Sequence, residues 1–301
     1  MANESKKVLL VGDNPFHGIS HLSQERARAR SNEIEQVEYA ANLVVTSLEN
    51  GASGFMFSVS DTTLSILQKI REKIGNNHPA LYGIVPYAYE YVRLATRLGT
   101  AGLVKKVAKQ VTLSGNLRAI ITGLHGIVRN DPKTLMKTYL ISEVSRIKSS
   151  IGKQHNLDSM LLHEIITDMA LALDLDWIFK SYIRFIGELG IKPGFETRNF
   201  AYLANKFKEW NLDFSEILIV APFNKVGFQM NPSRAECERA LAEVPESNVI
   251  AMSILAAGYL KLPEAIEYIE KLSNIKGVVV GVSKEKHACE TFRLLKERLD
   301  A

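Results

Sequence analysis

The chain is poor in cysteine. Only Cys237 and Cys289 occur in 301 residues, both in stretches that read as helical, with no metal-type spacing between them. A zinc knuckle and a disulfide framework are therefore excluded as organising devices. Long apolar runs are also missing. Runs such as VVVGV fall far short of the roughly 18 residues that a membrane span needs. The start, MANESKKVLLVGDN, offers one short apolar run followed by polar residues, which is not a secretory signal, so a cytoplasmic location is expected. Neither H-x-H nor H-E-x-x-H is present, and there is no low-complexity run, no repeat longer than a strand-helix unit and no nucleic-acid motif.

The bulk composition, 46% hydrophobic and 23% charged, is that of an ordinary globular protein. The net charge of +4 is unevenly placed. Residues 90–155 carry twelve Lys and Arg against the three acids Glu90, Asp131 and Glu143, a local +9 that leaves −5 for the rest.

What is present is a rhythm. Eight short apolar runs alternate with helical stretches, and most end in polar residues that a plain strand would not need. The spacing predicts strands at 7–12, 54–58, 81–85, 159–163, 194–197, 217–221, 249–253 and 277–281. Strand-then-helix repeated eight times predicts a single-domain (β/α)8 TIM barrel of the α/β class, whose active site lies at the C-terminal strand ends. After strand three the rhythm breaks. Residues 90–155 are amphipathic, with Asp131 as an N-cap and Pro132 at the first helical position, and are read as a basic helical insertion. Residues 117–125 offer an alternative strand. The insertion is expected to pack on or beside the mouth as a lid, with an oligomer interface as the alternative use.

The strand ends supply the candidate site. His163 and Glu164 end strand four, and of two adjacent strand residues only one faces the axis. GDNPFHG packs Asp13, Asn14 and His17 into a turn straight after strand one. Glu196 and Asn199 end strand five, and Asn224 and Lys225 end strand six. A carboxylate and a lysine on neighbouring strands suit an acid/base pair. Ser58, Tyr87 and Ser253 are further polar groups at the mouth, and Gly281, Ser283 and Lys284 open the last helix as an anion site. His17, His163, Glu164, Glu196 and Asp13 are of metal-ligand type but form no dense motif. A divalent metal is left open and no metal ligand is assigned.

The second half of the chain resembles the aldo-keto reductase superfamily. The corresponding pieces, in order, are Leu161-Leu162-His163, then Gly194 to Phe200, Pro222-Phe223-Asn224, Val249 to Gly258, and Val280-Gly281-Val282-Ser283 with Glu290 downstream. The resemblance implies a barrel that reduces carbonyls with NADPH, using a Tyr proton donor assisted by Asp, Lys and His. His163 matches the histidine. Ser58 stands in the aspartate's place, no Tyr follows at the expected offset, and the lysine's place falls near Pro86-Tyr87. Without that proton donor the family's mechanism cannot run as it stands. The residues therefore lead to the expectation of a lyase- or isomerase-type enzyme acting on a small anionic metabolite, phosphorylated compounds among the candidates. His163 with Glu196 or Glu164 would be acid and base, and Asp13, Asn14, Asn199 and Asn224 would orient the substrate. NADP is less expected. The alternative is an NADP-dependent oxidoreductase with a rearranged donor such as Tyr87. A third reading is a non-catalytic barrel that binds a partner through its basic insert.

Overall fold

The computed structural model describes residues 6–17, 33–75, 77–86, 131–152, 155–244 and 248–299. The eight predicted strands are all present: β1 (Val8–Gly12), β2 (Gly54–Ser58), β3 (Ala80–Val85), β4 (Ser159–Leu162), β5 (Lys192–Glu196), β6 (Leu218–Pro222), β7 (Asn248–Met252) and β8 (Ile275–Gly281). They close in chain order into a parallel barrel, with β1 paired to both β2 and β8.

The helices are α1 (Glu33–Glu49), α2 (Asp61–Ile74), α3 (Pro132–Ile151), α4 (Glu164–Ala172), α5 (Asp176–Gly187), α6 (Phe200–Glu209), α7 (Arg234–Ala242), α8 (Leu262–Glu270) and α9 (Glu285–Leu299). Local chemistry sets several starts. Ser60 caps α2 by accepting from the Thr63 amide, Asp131 caps α3 through the Lys133 amide ahead of Pro132, and Ser233 caps α7 through the Glu236 amide.

Strand alternation divides the core in two. Leu10, Met56, Ile84, Leu161, Leu218, Val220, Ile250, Met252 and Val279 fill the barrel interior. The residues between them on each strand, such as Phe55, Phe57 and Phe195, pack outward against the helices. On the β5 side, Phe195, Phe179 and Phe207 meet with ring centroids 5.2–5.4 Å apart. Two glycines let backbones and side chains close up. A Cβ at Gly54 would stand 2.2 Å from the Ala80 carbonyl oxygen, and one at Gly194 would stand 2.5 Å from Leu161 Cδ2.

Of the segment expected as an insertion, residues 90–155, the described part holds α3. α3 packs against α2 and α5, the place of a crossover helix in the outer ring, and β3 pairs directly with β4. Residues 132–151 are thus ordinary barrel structure. The rest of the segment up to residue 130, with the alternative strand 117–125 and Tyr87, lies outside the described residues. A second departure is α4. The rhythm predicted only one helix between strands four and five, yet α4 begins immediately after His163. The short βα turn there is closed by His163 itself. Among the described residues no helix is long and apolar enough to cross a membrane.

Candidate active site at the barrel mouth

Register fixes which strand-end side chains face inward. Leu10, Met56, Leu161 and Gly194 belong to the inward rows, so Gly12, Ser58, His163 and Glu196, two residues further along, continue them at the C-terminal mouth. Of the pair His163–Glu164, it is His163 that faces the axis.

His163 is buried. The Ile165 amide donates to its Nδ1 at 3.2 Å, so the ring caps α4. A neutral ring that accepts at Nδ1 carries its proton on Nε2 and donates from there. Burial lowers its pKa below the ordinary 6.5, with Arg198 acting in the same sense and Glu164 and Asp13 against it. His163 is accordingly a neutral N–H donor at neutral pH.

Glu196 is buried at the end of β5, and its pKa is pushed up to about 8. Desolvation is the largest cause, and the nearby Glu164 and Asp13 carboxylates add to it. The Glu164 amide, 3.5 Å from Glu196 Oε2, and Arg198 oppose it. Glu196 therefore holds a proton at pH 7.

Around these two lies a charged shell. Arg198 grips Glu164 side-on: Nη2 donates to Oε1 at 2.9 Å, and Nε lies 2.8 Å from Oε2. Asp168 ties the same loop from α4. Its Oδ1 accepts from the Thr197 hydroxyl at 2.5 Å and its Oδ2 from the Arg198 amide at 3.2 Å. Across the mouth, Asp13 Oδ2 accepts from the Ser58 amide at 2.6 Å and lies 2.9 Å from His17 Nε2. Thr63 Oγ1 is 3.1 Å from that same Nε2. Because one ring nitrogen faces both Asp13 and Thr63, this is not a relay in which a carboxylate holds one nitrogen while the other activates a hydroxyl.

The remaining candidates fall elsewhere. Lys225 is exposed on the rim, 4.0 Å from Glu264, so the expected acid/base pair with Glu196 does not form. Asn224 is fully buried, and its amide closes the loop onto Phe228, donating to the carbonyl at 2.9 Å and accepting from the amide at 2.8 Å. It is a loop staple. Asn199 stands at the start of α6, where its backbone N–H donates to Thr197 Oγ1 at 2.9 Å. Asn14 is exposed. Pro15 packs over Gly281, where an added Cβ would meet it at 2.9 Å. Ser253 follows β7 in a left-handed conformation, φ 54°, with Ala256 and Ala257 doing the same. At the start of α9, Ser283 accepts the Tyr39 hydroxyl through its carbonyl and Lys284 is exposed. Among the described residues no three His, Cys, Asp or Glu side chains are grouped to hold a metal ion. A cleft of about 510 Å³ on the outside, lined by Ile141, Val144, Lys148 and Leu189, belongs to the second half of α3 and not to the mouth.

Sequence reasoning missed two contributors. Arg198 lies just past the end of β5, and Asp168 lies in α4, four residues after Glu164. Their signal was the spacing Glu164–Asp168, four residues apart on one helix face that turns towards the end of β5.

Compared with solved structures, the chain has likenesses in shape. It superposes on an aldo-keto reductase assignment from Pseudomonas aeruginosa with TM-score 0.58 at 11% identity, covering 99% of this chain and 92% of that one. The holo form of an aldo-keto reductase from Bacillus halodurans follows at TM-score 0.56 and 12% identity, covering 97% and 87%. The fold is aldo-keto reductase-like. No family model and no curated protein matches the sequence. At these identities the likeness is one of fold. The solved structures it resembles are described as aldo-keto reductases, not lyases or isomerases, so the lyase or isomerase expectation, which rested on strand-end residues alone, is withdrawn.

Proposed function

We propose that this aldo-keto reductase-like barrel is an NADP(H)-dependent carbonyl oxidoreductase in which Glu196 takes the place of the tyrosine proton donor. The observation that carries the reading is the buried Glu196 facing the mouth on the strand next to His163, where burial raises its pKa. The lack of a Tyr at the family's proton-donor position had left the barrel without an acid, and an inward carboxyl with a pKa near 8 supplies one.

The donor set at the start of α9 suits a dinucleotide phosphate. It comprises the Ser283 hydroxyl, the exposed Lys284 ammonium and the helix's first amides. NADP(H), when bound, supplies or takes up the hydride. The protein's own part is the proton and the polarisation. His163 donates from Nε2 to the substrate carbonyl oxygen and draws charge towards it. In reduction the same oxygen takes the proton of the Glu196 carboxyl, leaving Glu196 ionised until solvent restores the proton. In oxidation the ionised Glu196 accepts the proton of the alcohol. Asp13 holds the β1 turn to the end of β2 through the Ser58 amide and keeps His17 at the rim.

The test is turnover of NADPH with a panel of aldehydes and ketones, together with calorimetric titration of the dinucleotide. Glu196→Gln should lose about 10²- to 10⁴-fold in rate and retain dinucleotide affinity. Absence of both dinucleotide binding and turnover in the unaltered protein would refute the reading.

A further inference from the structure

We propose that Ser58 is a specificity-determining residue: its hydroxyl binds an uncharged oxygen of the substrate beside the reacting carbonyl, so that a hydroxycarbonyl compound is preferred to a plain ketone or a keto acid. The inference rests on the reading of the barrel as a carbonyl oxidoreductase and adds a substrate class to it.

The inward rows leave few polar side chains at the mouth. At the strand ends Gly12, Ile84, Pro222, Met252 and Gly281 face inward, and none of them has a hydrogen-bonding side chain. That leaves Ser58, His163 and Glu196. The last two serve the reacting oxygen, so Ser58 is the inward strand-end group open to a second one. It is 6% exposed. Its amide is tied to Asp13 Oδ2 at 2.6 Å, which fixes the end of β2, whereas its hydroxyl has no partner among the described residues and keeps a little accessible surface. A largely buried hydroxyl without a partner is unfavourable, and a ligand oxygen would relieve that.

Register places Ser58 beside Ile84, and Ile84 beside Leu161, two residues before His163. β2 and β4 are two strands apart, roughly 10 Å along the wall, and both side chains point across the mouth. A small molecule held at His163 therefore reaches Ser58. The charge there selects the kind of oxygen. The Asp13 carboxylate stands against the Ser58 amide and repels a carboxylate or phosphate placed beside it. Arg198 is already engaged by Glu164. A neutral hydroxyl meets no such repulsion, and it can both donate to the serine and accept from it.

The experiment is steady-state kinetics with NADPH and three ketones of similar size: hydroxyacetone, butanone and pyruvate. The unaltered protein should use hydroxyacetone best and pyruvate least. The ketones also differ in intrinsic reactivity, so the deciding quantity is the change on mutation in the hydroxyacetone-to-butanone ratio of kcat/KM. Ser58→Ala should lower that ratio about two- to tenfold, the scale of one neutral hydrogen bond. Should Ser58→Ala not fold, Ser58→Gly removes the same hydroxyl and is expected to give the same fall. A serine with a merely structural role would leave the ratio where it was. An unchanged ratio in the variant, or a preference for pyruvate in the unaltered protein, overturns the proposal and leaves the oxidoreductase reading standing. Absence of turnover with these ketones and with the wider panel of aldehydes and ketones sinks that reading and this inference with it.

Discussion

Replacing Glu196 with glutamine should make the protein more stable, and by an amount that depends on pH. Glutamine matches the protonated acid in shape, with one donor and one acceptor end. The ionised acid has no counterpart in the variant. In the unfolded chain Glu196 titrates near its ordinary 4.5, whereas in the folded barrel it titrates at about 8. The folded state therefore binds the proton more tightly, and the stability linked to that proton is fully present below pH 4.5. It is lost as pH rises through the window and is gone once pH passes 8. Each pH unit is worth about 1.4 kcal/mol. The two and a half units between 4.5 and 7 amount to about 3 kcal/mol, and the full window to about 5 kcal/mol. The Glu196→Gln variant carries no such penalty. Its stability relative to the unaltered protein should be near zero at pH 4.5, about 3 kcal/mol at pH 7 and about 5 kcal/mol above pH 8. Urea unfolding of both proteins at several pH values reads this directly as a difference that grows with pH. A difference that stays constant from about pH 5 to pH 9 would refute the reasoning, because it would mean that Glu196 ionises alike in the folded and unfolded chain.

Other outcomes follow from the same geometry. His163→Ala should lower the rate by about 10²- to 10⁴-fold and also cost about 1 kcal/mol, because Nδ1 caps α4; unfolding without a separable rate effect would make the ring structural only. Asn224→Ala should destabilise the protein by about 1–3 kcal/mol, because it strands both polar groups of Phe228. Lys225→Ala, one residue along, should change stability by less than about 1 kcal/mol and leave turnover unchanged; thermal unfolding and steady-state kinetics separate the two. Gly194→Ala should cost about 1–3 kcal/mol, read by chemical denaturation, since its Cβ would press on Leu161 and the Leu218 carbonyl inside the barrel.

The barrel was legible because parallel strands covered on both faces must be written as nearly continuous apolar runs. VLLVG, GFMFS and LIVAP need no partner sequence to be recognised. His163 and Glu196 were legible as polar interruptions of such runs. What sequence could not separate was His163 from Asn224. Both are polar residues just past a strand, but Asn224 spends its amide on a residue four positions away, and His163 continues the inward row at the mouth. Lys225 looked like a partner for Glu196 because the strands are neighbours, yet a side chain one residue past the inward row turns to the rim. Arg198 and Asp168 acquire meaning only through contacts that join β5 to α4, some 30 residues apart. The Glu164–Asp168 spacing marks a shared helix face, but no local pattern names its partner on β5. The helix after strand three was folded into an insertion because the long basic segment before it hid the return of the strand-helix rhythm at Asp131.

The hydrogen bond from the Ile165 amide to His163 makes one imidazole answer to two structures. The ring that points a proton into the mouth is also the acceptor that finishes the first turn of α4. A second proton on that ring, at Nδ1, would remove the acceptor and set a positive charge at the helix's positive end. Acidification below the lowered pKa of His163 should therefore silence the site and fray α4 in the same step, and amide exchange at Ile165 would report the loss of both.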